Sequence, residues 1–386
     1  MVYAYLVPVP ADDIQPQAAT GTLTASLLVQ NSDSDTDLEK WEFGLRKPPL
    51  ALLPDYHTNG EWGAGVQEIF RTSRPADAKS GLSFLKVISV GQWVEGGDPL
   101  DRSVDSIAST TSPLEELVPT VWVAIRNEIE PLKQFWAFTR YDVIGHGQGG
   151  LLARMLCSLN GNGIVDPFRN GDNFFRGRFH RVVTIGTPHN GSRLLRYIST
   201  LLKGDGFLAS VLPERMVRGW LAGDKFDPWG SGIENLNKPL PSAPWFPDPD
   251  TRFHLVRTTV NDGLAPSLTH ATFAETALGL RTVGETVIPL GSDGVVDYDS
   301  MGADSPGIDT SNVYTVPSAL NISHVANPLA GIDDIFGGHD GSQVTSTVVA
   351  QHAIGALDGA GVPDQHRKPA PIHPPRRLPP HIRDDR

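Results

Sequence analysis

The sequence predicts an α/β protein built on a doubly wound, mostly parallel β-sheet. Short buried strand patterns alternate with helix patterns between residues 46 and 360, and such alternation is typical of parallel sheets. A glycine-rich turn joins one of these strands directly to a helix. The composition is that of a globular chain, with 39% hydrophobic and 20% charged residues among 386.

The predicted elements follow from two different periodicities. Strands are predicted where short apolar runs lie between turn signals: Thr22–Gln30, Leu50–Leu53, Tyr141–Ile144, Arg181–Ile185, Phe253–Val256 and Val313–Val316. Helices are predicted where apolar positions recur every three or four residues. They are a helix that starts in a capping box at Ser112–Glu115 and runs to Leu132, followed by Gly149–Leu159, Ser192–Leu202 and Val344–Leu357.

Composition shifts along the chain predict three parts. Residues 1–45 form an N-terminal extension that is partly strand, and residues 46–360 form the α/β domain. Residues 361–386 are rich in proline and poor in apolar residues, so we expect a disordered tail. Residues 201–250 place bulky apolar side chains between glycines and prolines, which predicts a helical lid or a permanently packed cap inserted into the domain.

Charge and cysteine content exclude several classes of protein. The formal net charge of −12 argues against nucleic acid as a partner. No run of about 18 apolar residues is present, so no membrane-spanning helix is expected. The single cysteine, Cys157, rules out an internal disulfide and a multi-cysteine zinc site, and we expect it in the core. No metal or cofactor is expected. The first ten residues lack the features of a secretory signal peptide, which leaves both a secreted mature form and a cytoplasmic protein open.

The segment Asp142–Arg154, DVIGHGQGGLLAR, is the most informative of the chain. A buried strand enters the turn, a helix leaves it, and glycines at positions 145 and 149 allow the two to approach closely. This segment resembles the nucleophile elbow G-x-S-x-G of the α/β-hydrolases, particularly the GHSxGG form of bacterial lipases. Gly147 stands where that family has its catalytic serine, so the turn is present and the nucleophile is not.

Two further motifs extend the resemblance, which covers roughly residues 48–358. The segment Thr184–Arg193, TIGTPHNGSR, resembles the GTPHxGS segment that follows the next strand in these lipases, and we expect its His189 to have a structural role. The segment Gly291–Ser300, GSDGVVDYDS, resembles the turn that supplies the lipase acid. The resemblance therefore implies Asp293 as the catalytic acid, with Asp262 in a similar Asn-Asp-Gly turn as the alternative.

The base is implied by a histidine near the end of the domain. The segment NISHVA at 321–326 places His324 after a strand, and His339 in GGHDGS is the alternative. Positions 147, 293 and 324 follow the α/β-hydrolase order of nucleophile, acid and base.

The predicted oxyanion hole departs from the family pattern. Lipases of this kind carry a His-Gly pair after the first core strand, where this chain reads Leu53–Gly60, LPDYHTNG. The resemblance implies two backbone N–H donors, one from Gln148 and one from this loop, for which Tyr56 is the candidate. Pro54 has no N–H, so the loop must be built differently from the usual one.

The resemblance implies a lipase-like or esterase-like carboxylic ester hydrolase that acts on a hydrophobic ester or lipid, with possible lipid contact through the lid. Because Gly147 replaces the serine, by deliberate exchange or by natural loss, we expect the chain to be inactive or strongly impaired; losing the nucleophile typically costs about 10⁶ in rate. Two alternatives stay open. One is a non-catalytic protein that binds a hydrophobic ligand or serves as a scaffold on the same fold. The other is hydrolysis by a water molecule that His324 activates.

Overall fold

The strands and helices are defined over a large part of the chain. The computed structural model describes residues 22–30, 37–55, 62–78, 80–88, 112–158, 168–173, 175–204, 225–227, 230–238, 245, 247–248, 251–259, 293, 296, 298–302, 308, 312–317, 320, 322, 324 and 343–359. Within these residues the strands are β1 (Thr22–Gln30), β2 (Asp37–Arg46), β3 (Leu50–Leu53), β4 (Leu85–Val87), β5 (Tyr141–His146), β6 (Phe179–Ile185), β7 (Arg252–Arg257) and β8 (Val313–Thr315). The α-helices are α1 (Ala64–Ser73), α2 (Leu114–Ile129), α3 (Gln148–Leu156), α4 (Arg193–Gly204), α5 (Ser231–Asn237), α6 (Tyr298–Met301) and α7 (Thr347–Asp358).

Six of the strands form one parallel sheet in the order β4-β3-β5-β6-β7-β8. The chain adds β4 on one side of β3 and all later strands on the other side. The topology therefore switches direction between β3 and β5, and in open α/β sheets ligands bind outside the carboxyl ends of the strands at such a switch point. The parallel sheet confirms the predicted fold class.

The sheet separates two apolar cores because successive side chains of a strand face opposite sides. Leu53 of β3 and Val143 of β5 pack with α2 and α3 in one core. Leu52 and Ile144, their neighbours along the same strands, pack with α1 and α7 in the other core. Helices on both faces are what a doubly wound sheet requires.

The ends of the predicted elements shift by a few residues, and one predicted cap is wrong. Helix α2 begins at Leu114 without a side-chain cap. The carbonyl of Pro113 accepts the N–H groups of Glu116 and Leu117 at 3.1 and 3.2 Å, so Pro113 itself is the cap residue and Ser112 lies one position too early for a capping box. Strands β2 and β4 and helix α1 have no counterpart among the predicted elements.

Several other expectations bear on residues whose structure is described only in part. In the N-terminal extension, β1 pairs with β2 in an antiparallel sheet of two strands. The tail at 361–386 and most of the segment 201–250 lie outside the described residues, so the tail and the lid remain predictions. Cys157 is completely buried in the first core, and its burial raises the pKa of the thiol. Among the described helices, none combines the length and the apolar character that crossing a membrane requires.

Candidate active site

Gly147 forms the sharp turn between β5 and α3. Its backbone has a φ of 49° and a ψ of −116°, a conformation open to glycine and strained for other residues. Its N–H donates to the carbonyl of Ile185 at 2.9 Å, and its own carbonyl accepts the N–H of Gly150 at 3.1 Å. A Cβ at Gly145 would lie 2.5 Å from the nitrogen of Gly150, so only glycine lets the strand and the helix approach this closely.

The segment after β6 packs against this turn. A Cβ at Gly150 would lie 1.9 Å from Oγ1 of Thr187. His189 is completely buried, its Nε2 is 3.1 Å from Oγ1 of Thr184, and burial keeps its pKa well below the usual range for histidine. These contacts agree with a structural role for His189.

The carboxylate of Asp55 lies directly beside Gly147. Asp55 follows β3, the strand next to β5, and is almost completely buried. Its Oδ1 accepts the backbone N–H of Gln148 at 2.6 Å, and its Oδ2 is 2.9 Å from Nε2 of His324. A Cβ at position 147 would lie only 1.8 Å from Oδ1. The carboxylate therefore occupies the volume in which a serine side chain would begin, and it accepts the N–H that the resemblance assigns to the oxyanion hole.

His324 lies between two carboxylates. Its Nδ1 is 2.7 Å from Oδ2 of Asp293, and its Nε2 faces Asp55. Asp293 is completely buried, and its Oδ1 accepts the N–H of Val296 at 2.7 Å. The backbone N–H of His324 donates to the carbonyl of Asp293 at 2.9 Å, so main chain and side chain both hold the two residues together.

Gln343 connects this group to His146, the last residue of β5. Its Nε2 donates to Oδ2 of Asp293 at 2.8 Å and to Oγ1 of Thr258 at 2.6 Å, and its Oε1 is 2.9 Å from Nε2 of His146. An ionised carboxylate only accepts hydrogen bonds, so the amide nitrogen must face Asp293 and the amide oxygen must face His146. Nε2 of His146 therefore carries a hydrogen atom. The ring of His146 stacks on that of His324 with the ring centroids 4.8 Å apart.

Burial and charge together set the protonation of the site. Burial by itself raises the pKa of Asp55, but the charge and hydrogen bond of His324, with smaller effects from His146 and the N–H of Gln148, lower it to about 2. Burial lowers the pKa of His324, but the charges and hydrogen bonds of Asp293 and Asp55 outweigh this and raise it to about 10. At neutral pH the site holds an imidazolium between two carboxylates. Burial lowers the pKa of His146 to about 4 despite the charge of Asp55, so His146 is neutral.

The charge of Asp55 also affects the pKa of Lys225, a residue of the segment 201–250. Burial lowers the pKa of Lys225 to about 7, and the negative charge of Asp55 opposes that shift. Its Nζ donates to the carbonyl of Ser112 at 2.9 Å, next to the start of α2.

Asp55, His146 and His324 also offer three potential metal ligands within 4.8 Å of one another. Their arrangement favours an ion pair over a shared metal ion. Nε2 of His324 already contacts Asp55 at 2.9 Å, whereas Nδ1 of His146 is 4.0 Å from the same oxygen. The two rings are stacked with 29° between their planes, whereas two imidazoles that bind one ion turn their in-plane lone pairs to a common point.

The structure thus brings four of the residues named from the sequence into one place: Gly147, Gln148, Asp293 and His324. Sequence reasoning missed the parts played by Asp55, His146 and Gln343. Asp55 had a detectable signal, because it follows the strand next to the elbow strand at the topological switch point. Tyr56, the predicted second oxyanion donor, and the alternatives Asp262 and His339 lie outside the described residues. The catalytic roles of all these residues remain predictions.

The parallel sheet, its flanking helices and the strand–Gly147–helix turn together give the α/β-hydrolase fold. No protein-family model matches the chain, and no curated protein matches it. One similar solved structure is lipase 1 from Pelosinus fermentans, with 12% sequence identity, a TM-score of 0.44, and an alignment that covers 82% of this chain and 98% of that chain. Staphylococcus hyicus lipase is similar with 13% sequence identity, a TM-score of 0.43, and coverage of 82% of this chain and 97% of that chain. EstA from Clostridium botulinum is also similar, with 14% sequence identity, a TM-score of 0.40, and coverage of 72% of this chain and 82% of that chain. Such distant similarity transfers no residue role to this chain.

Proposed function

We propose that the protein is a hydrolase of the lipase and esterase type, arranged for hydrophobic carboxylic esters, in which serine-type hydrolysis is strongly impaired. The observation that carries this proposal is the pair of Asp293 and His324, in which Nε2 of His324 contacts the carboxylate that lies beside Gly147. An acid, a base and one backbone donor surround a position that has no nucleophilic side chain.

The roles follow from the chemistry of such sites. A carboxylate behind a histidine fixes its orientation and stabilises its imidazolium form, as Asp293 does for His324. A backbone N–H directly after the elbow, here that of Gln148, stabilises the oxyanion that develops on an ester carbonyl. Glycine supplies no oxygen for the covalent step, and the loss of a serine nucleophile typically lowers the rate by about 10⁶.

The contacts of Asp55 add a second obstacle to ester hydrolysis. Its Oδ1 accepts the N–H of Gln148, so an ester carbonyl reaches that donor only if the carboxylate moves. Its Oδ2 accepts the hydrogen on Nε2 of His324, the atom that would take a proton from a serine. Restoring a serine at 147 is therefore not enough, because its Cβ would lie 1.8 Å from Oδ1 of Asp55 and the carboxylate has to be removed to make room for it.

Four chains test this proposal with p-nitrophenyl butyrate and p-nitrophenyl palmitate as substrates: the natural chain, Gly147→Ser, Asp55→Gly and the double variant. We expect esterase activity only in the double variant, since only there do a hydroxyl, a neutral His324 and an accessible Gln148 N–H occur together. Adding His324→Gln to the double variant should remove that activity again. A double variant that is folded by circular dichroism but inactive would contradict the proposal.

A second candidate function is the binding of a hydrophobic ligand without turnover. The side-chain amide of Gln148 is buried beside the site, and it makes no hydrogen bond to any residue that the structure describes. A buried amide in this state favours a ligand with a polar atom that pairs with it. Binding of a long-chain acyl ester that is recovered intact after prolonged incubation would support this function over the first.

Hydrolysis by a water molecule that His324 activates is less favoured. An imidazolium cannot accept a proton, and the two carboxylates around His324 raise its pKa to about 10. The resting site therefore contains an acid at this position at neutral pH, where the water route needs a base.

A further inference from the structure

We propose that Asp55 is a nucleophile, and that the protein opens epoxides through an ester bond to Oδ2 of this residue. The position of the carboxylate carries the proposal, because it lies where the side chain of the elbow nucleophile would be and contacts both the oxyanion N–H and the histidine. This activity goes beyond the ester hydrolysis proposed above and does not depend on it.

Asp55 is prepared for attack in its resting state. Both of its oxygens are fixed, Oδ1 by the N–H of Gln148 at 2.6 Å and Oδ2 by Nε2 of His324 at 2.9 Å. A serine hydroxyl needs a base to remove its proton before it attacks, whereas an ionised carboxylate is already an anion and needs no base. Carboxylates are known to form covalent intermediates in other enzymes. The missing side chain at Gly147 leaves the space that the carboxylate fills.

The chemistry of a carboxylate favours saturated carbon over an ester carbonyl. When a carboxylate adds to an ester, it is expelled more readily than the alkoxide, because the alkoxide is the stronger base. Attack on a carbon of a strained epoxide ring instead forms a stable ester and releases ring strain. The oxygen freed from the ring then needs a proton, and the imidazolium of His324 is a source of one.

The first step balances as follows. Oδ2 of Asp55 forms a bond to one epoxide carbon, and the bond between that carbon and the ring oxygen breaks. The ring oxygen takes a proton through water, and His324 gives up its extra proton to that water. The site then holds a hydroxyalkyl ester of Asp55 and a neutral imidazole.

The second step uses the same contacts. In the ester, Oδ1 is the carbonyl oxygen, and it already lies on the N–H of Gln148 that would stabilise a tetrahedral oxyanion. Neutral His324, held by Asp293, takes a proton from water, and the hydroxide attacks Cγ of Asp55. The bond between Cγ and the ester oxygen breaks, the departing oxygen takes the proton of the new hydroxyl group on Cγ, and the diol leaves. The carboxylate and the imidazolium are restored.

The charges around His324 support this change of role. The residue is protonated while both Asp55 and Asp293 are ionised. Esterification of Asp55 removes one of the two negative charges, so the proton is held less strongly. His146 is neutral beside it, so it adds no second positive charge. His324 thus acts as an acid before alkylation and as a base afterwards.

Styrene oxide is a suitable probe, used with the chain of 386 residues in water enriched in oxygen-18 under single-turnover conditions. We expect styrene glycol as the product and one labelled oxygen in the peptide that contains Asp55, since the hydroxide attacks Cγ. Formation of the diol with an unlabelled Asp55 would overturn the proposal, because water would then have attacked the epoxide directly.

Two variants separate the steps. In His324→Gln the first step loses its imidazolium and must take the proton from water alone, but the second step should slow more, by about 10²–10⁴-fold, the usual effect of losing a general base, so the peptide with Asp55 should gain the mass of one epoxide. In Asp55→Asn neither adduct nor diol should form. The peptide with Asp299, an exposed carboxylate, serves as the internal control for unspecific alkylation.

A folded His324→Gln chain that gains no adduct on Asp55, or gains as much on Asp299, would disprove the nucleophilic role. The ester assay does not influence this outcome, because the adduct is measured on a chain that lacks an elbow serine. The two proposals can therefore fail separately.

Discussion

The carboxylate of Asp55 and a side chain at Gly147 exclude each other. An ideal Cβ at Gly147 would lie 1.8 Å from Oδ1 and 2.1 Å from Cγ of Asp55, far inside van der Waals contact. The two departures from the lipase pattern, a glycine in the elbow and a Pro-Asp pair after β3, are thus in direct contact. The glycine accounts for the position of Asp55, since the carboxylate can occupy this volume only because position 147 has no side chain.

We therefore expect Gly147→Ser to destabilise the protein. A residue other than glycine in this backbone conformation costs about 1–3 kcal/mol, and the new Cβ must also displace a buried carboxylate from its hydrogen bonds. Urea unfolding should show a lower free energy of unfolding for the variant, and Asp55→Gly in the same chain should recover part of the loss.

Gly171→Ser provides the matched control for that measurement. Gly171 is exposed, has an ordinary backbone conformation, and a Cβ there would meet no atom within 4 Å. Its replacement should change the free energy of unfolding by no more than about 0.5 kcal/mol. Equal stability of Gly147→Ser and Gly171→Ser would contradict the steric relation between Gly147 and Asp55.

A second expectation concerns the protonation of His324. Its pKa of about 10 means that both ring nitrogens carry hydrogen at pH 7 and pH 8, which nitrogen-15 NMR of the imidazole reports directly. Asp55→Asn removes one carboxylate and should lower the pKa of His324. A ring that titrates near 6.5, the usual value for histidine, in the natural chain would contradict the ion pair.

The same pKa has a consequence for stability. The pKa of His324 is higher in the folded chain than in the unfolded chain, so its contribution is fully present below about pH 6.5 and is lost as the pH rises towards 10. Lys225 acts in the opposite direction, because its folded pKa of about 7 is below the unfolded value. Asp55 stays ionised and His146 stays neutral over this range. Replacing Lys225 by Met removes this opposing contribution. In Lys225→Met the free energy of unfolding should therefore fall from pH 7 to pH 10, because the contribution of His324 is lost.

The fold could be predicted because its signals are local in the sequence. The apolar runs of β3, β5 and β6 and the glycines at 145 and 149 are each visible within a few residues. Helix α1 escaped prediction because it buries only Val66 and Phe70. Strand β4 escaped because it has three residues, none of them buried, at the edge of the sheet.

Residues of the site could be predicted only where they belong to a recognisable sequence motif. Asp293 and His324 belong to segments that resemble those of lipases. Asp55 belongs to no such motif, and its partners are far away in the chain: Gln148 is 93 residues distant and His324 is 269 residues distant. Only the order of strands in the sheet brings them together, because β3 and β5 are neighbours and end at the same edge.

A third expectation concerns the opposite end of β5, where Arg74 and Asp142 form a buried ion pair. Nη2 of Arg74 is 2.7 Å from Oδ2 of Asp142, and both side chains are about 1% exposed. Removal of one partner from a buried pair costs about 3–5 kcal/mol, and in this case Oδ1 of Asp142 keeps a contact of 3.0 Å with Nδ1 of His180. Arg74→Met should thus lower the free energy of unfolding by up to this amount in urea unfolding.

The exposed pair of Arg71 and Glu68 is the control for that variant. It has a similar distance of 2.6 Å, but both side chains are more than half exposed, so Arg71→Met should cost less than about 1 kcal/mol. Further replacement of Asp142 by Asn in Arg74→Met should restore part of the lost stability, since it removes the buried negative charge that Arg74 no longer neutralises. Equal effects of Arg74→Met and Arg71→Met would show that burial does not determine the strength of these pairs.

The last expectation concerns Gln343, whose amide satisfies three buried groups at once. Gln343→Leu removes the acceptor of His146 and one donor each to Thr258 and Asp293, and a buried polar group left unpaired costs about 1–3 kcal/mol. Gln343→Glu keeps the shape but places a second carboxylate about 2.8 Å from Oδ2 of Asp293.

The two variants should therefore differ in their response to pH. Gln343→Glu should be the less stable at pH 7, because two carboxylates repel each other, and it should recover relative to Gln343→Leu as the pH falls and the new carboxyl group takes up a proton. Gln351→Leu, on the exposed face of α7, should have the stability of the natural chain throughout. If urea unfolding gave parallel pH profiles for Gln343→Glu and Gln343→Leu, the contact between Gln343 and Asp293 would not exist in solution.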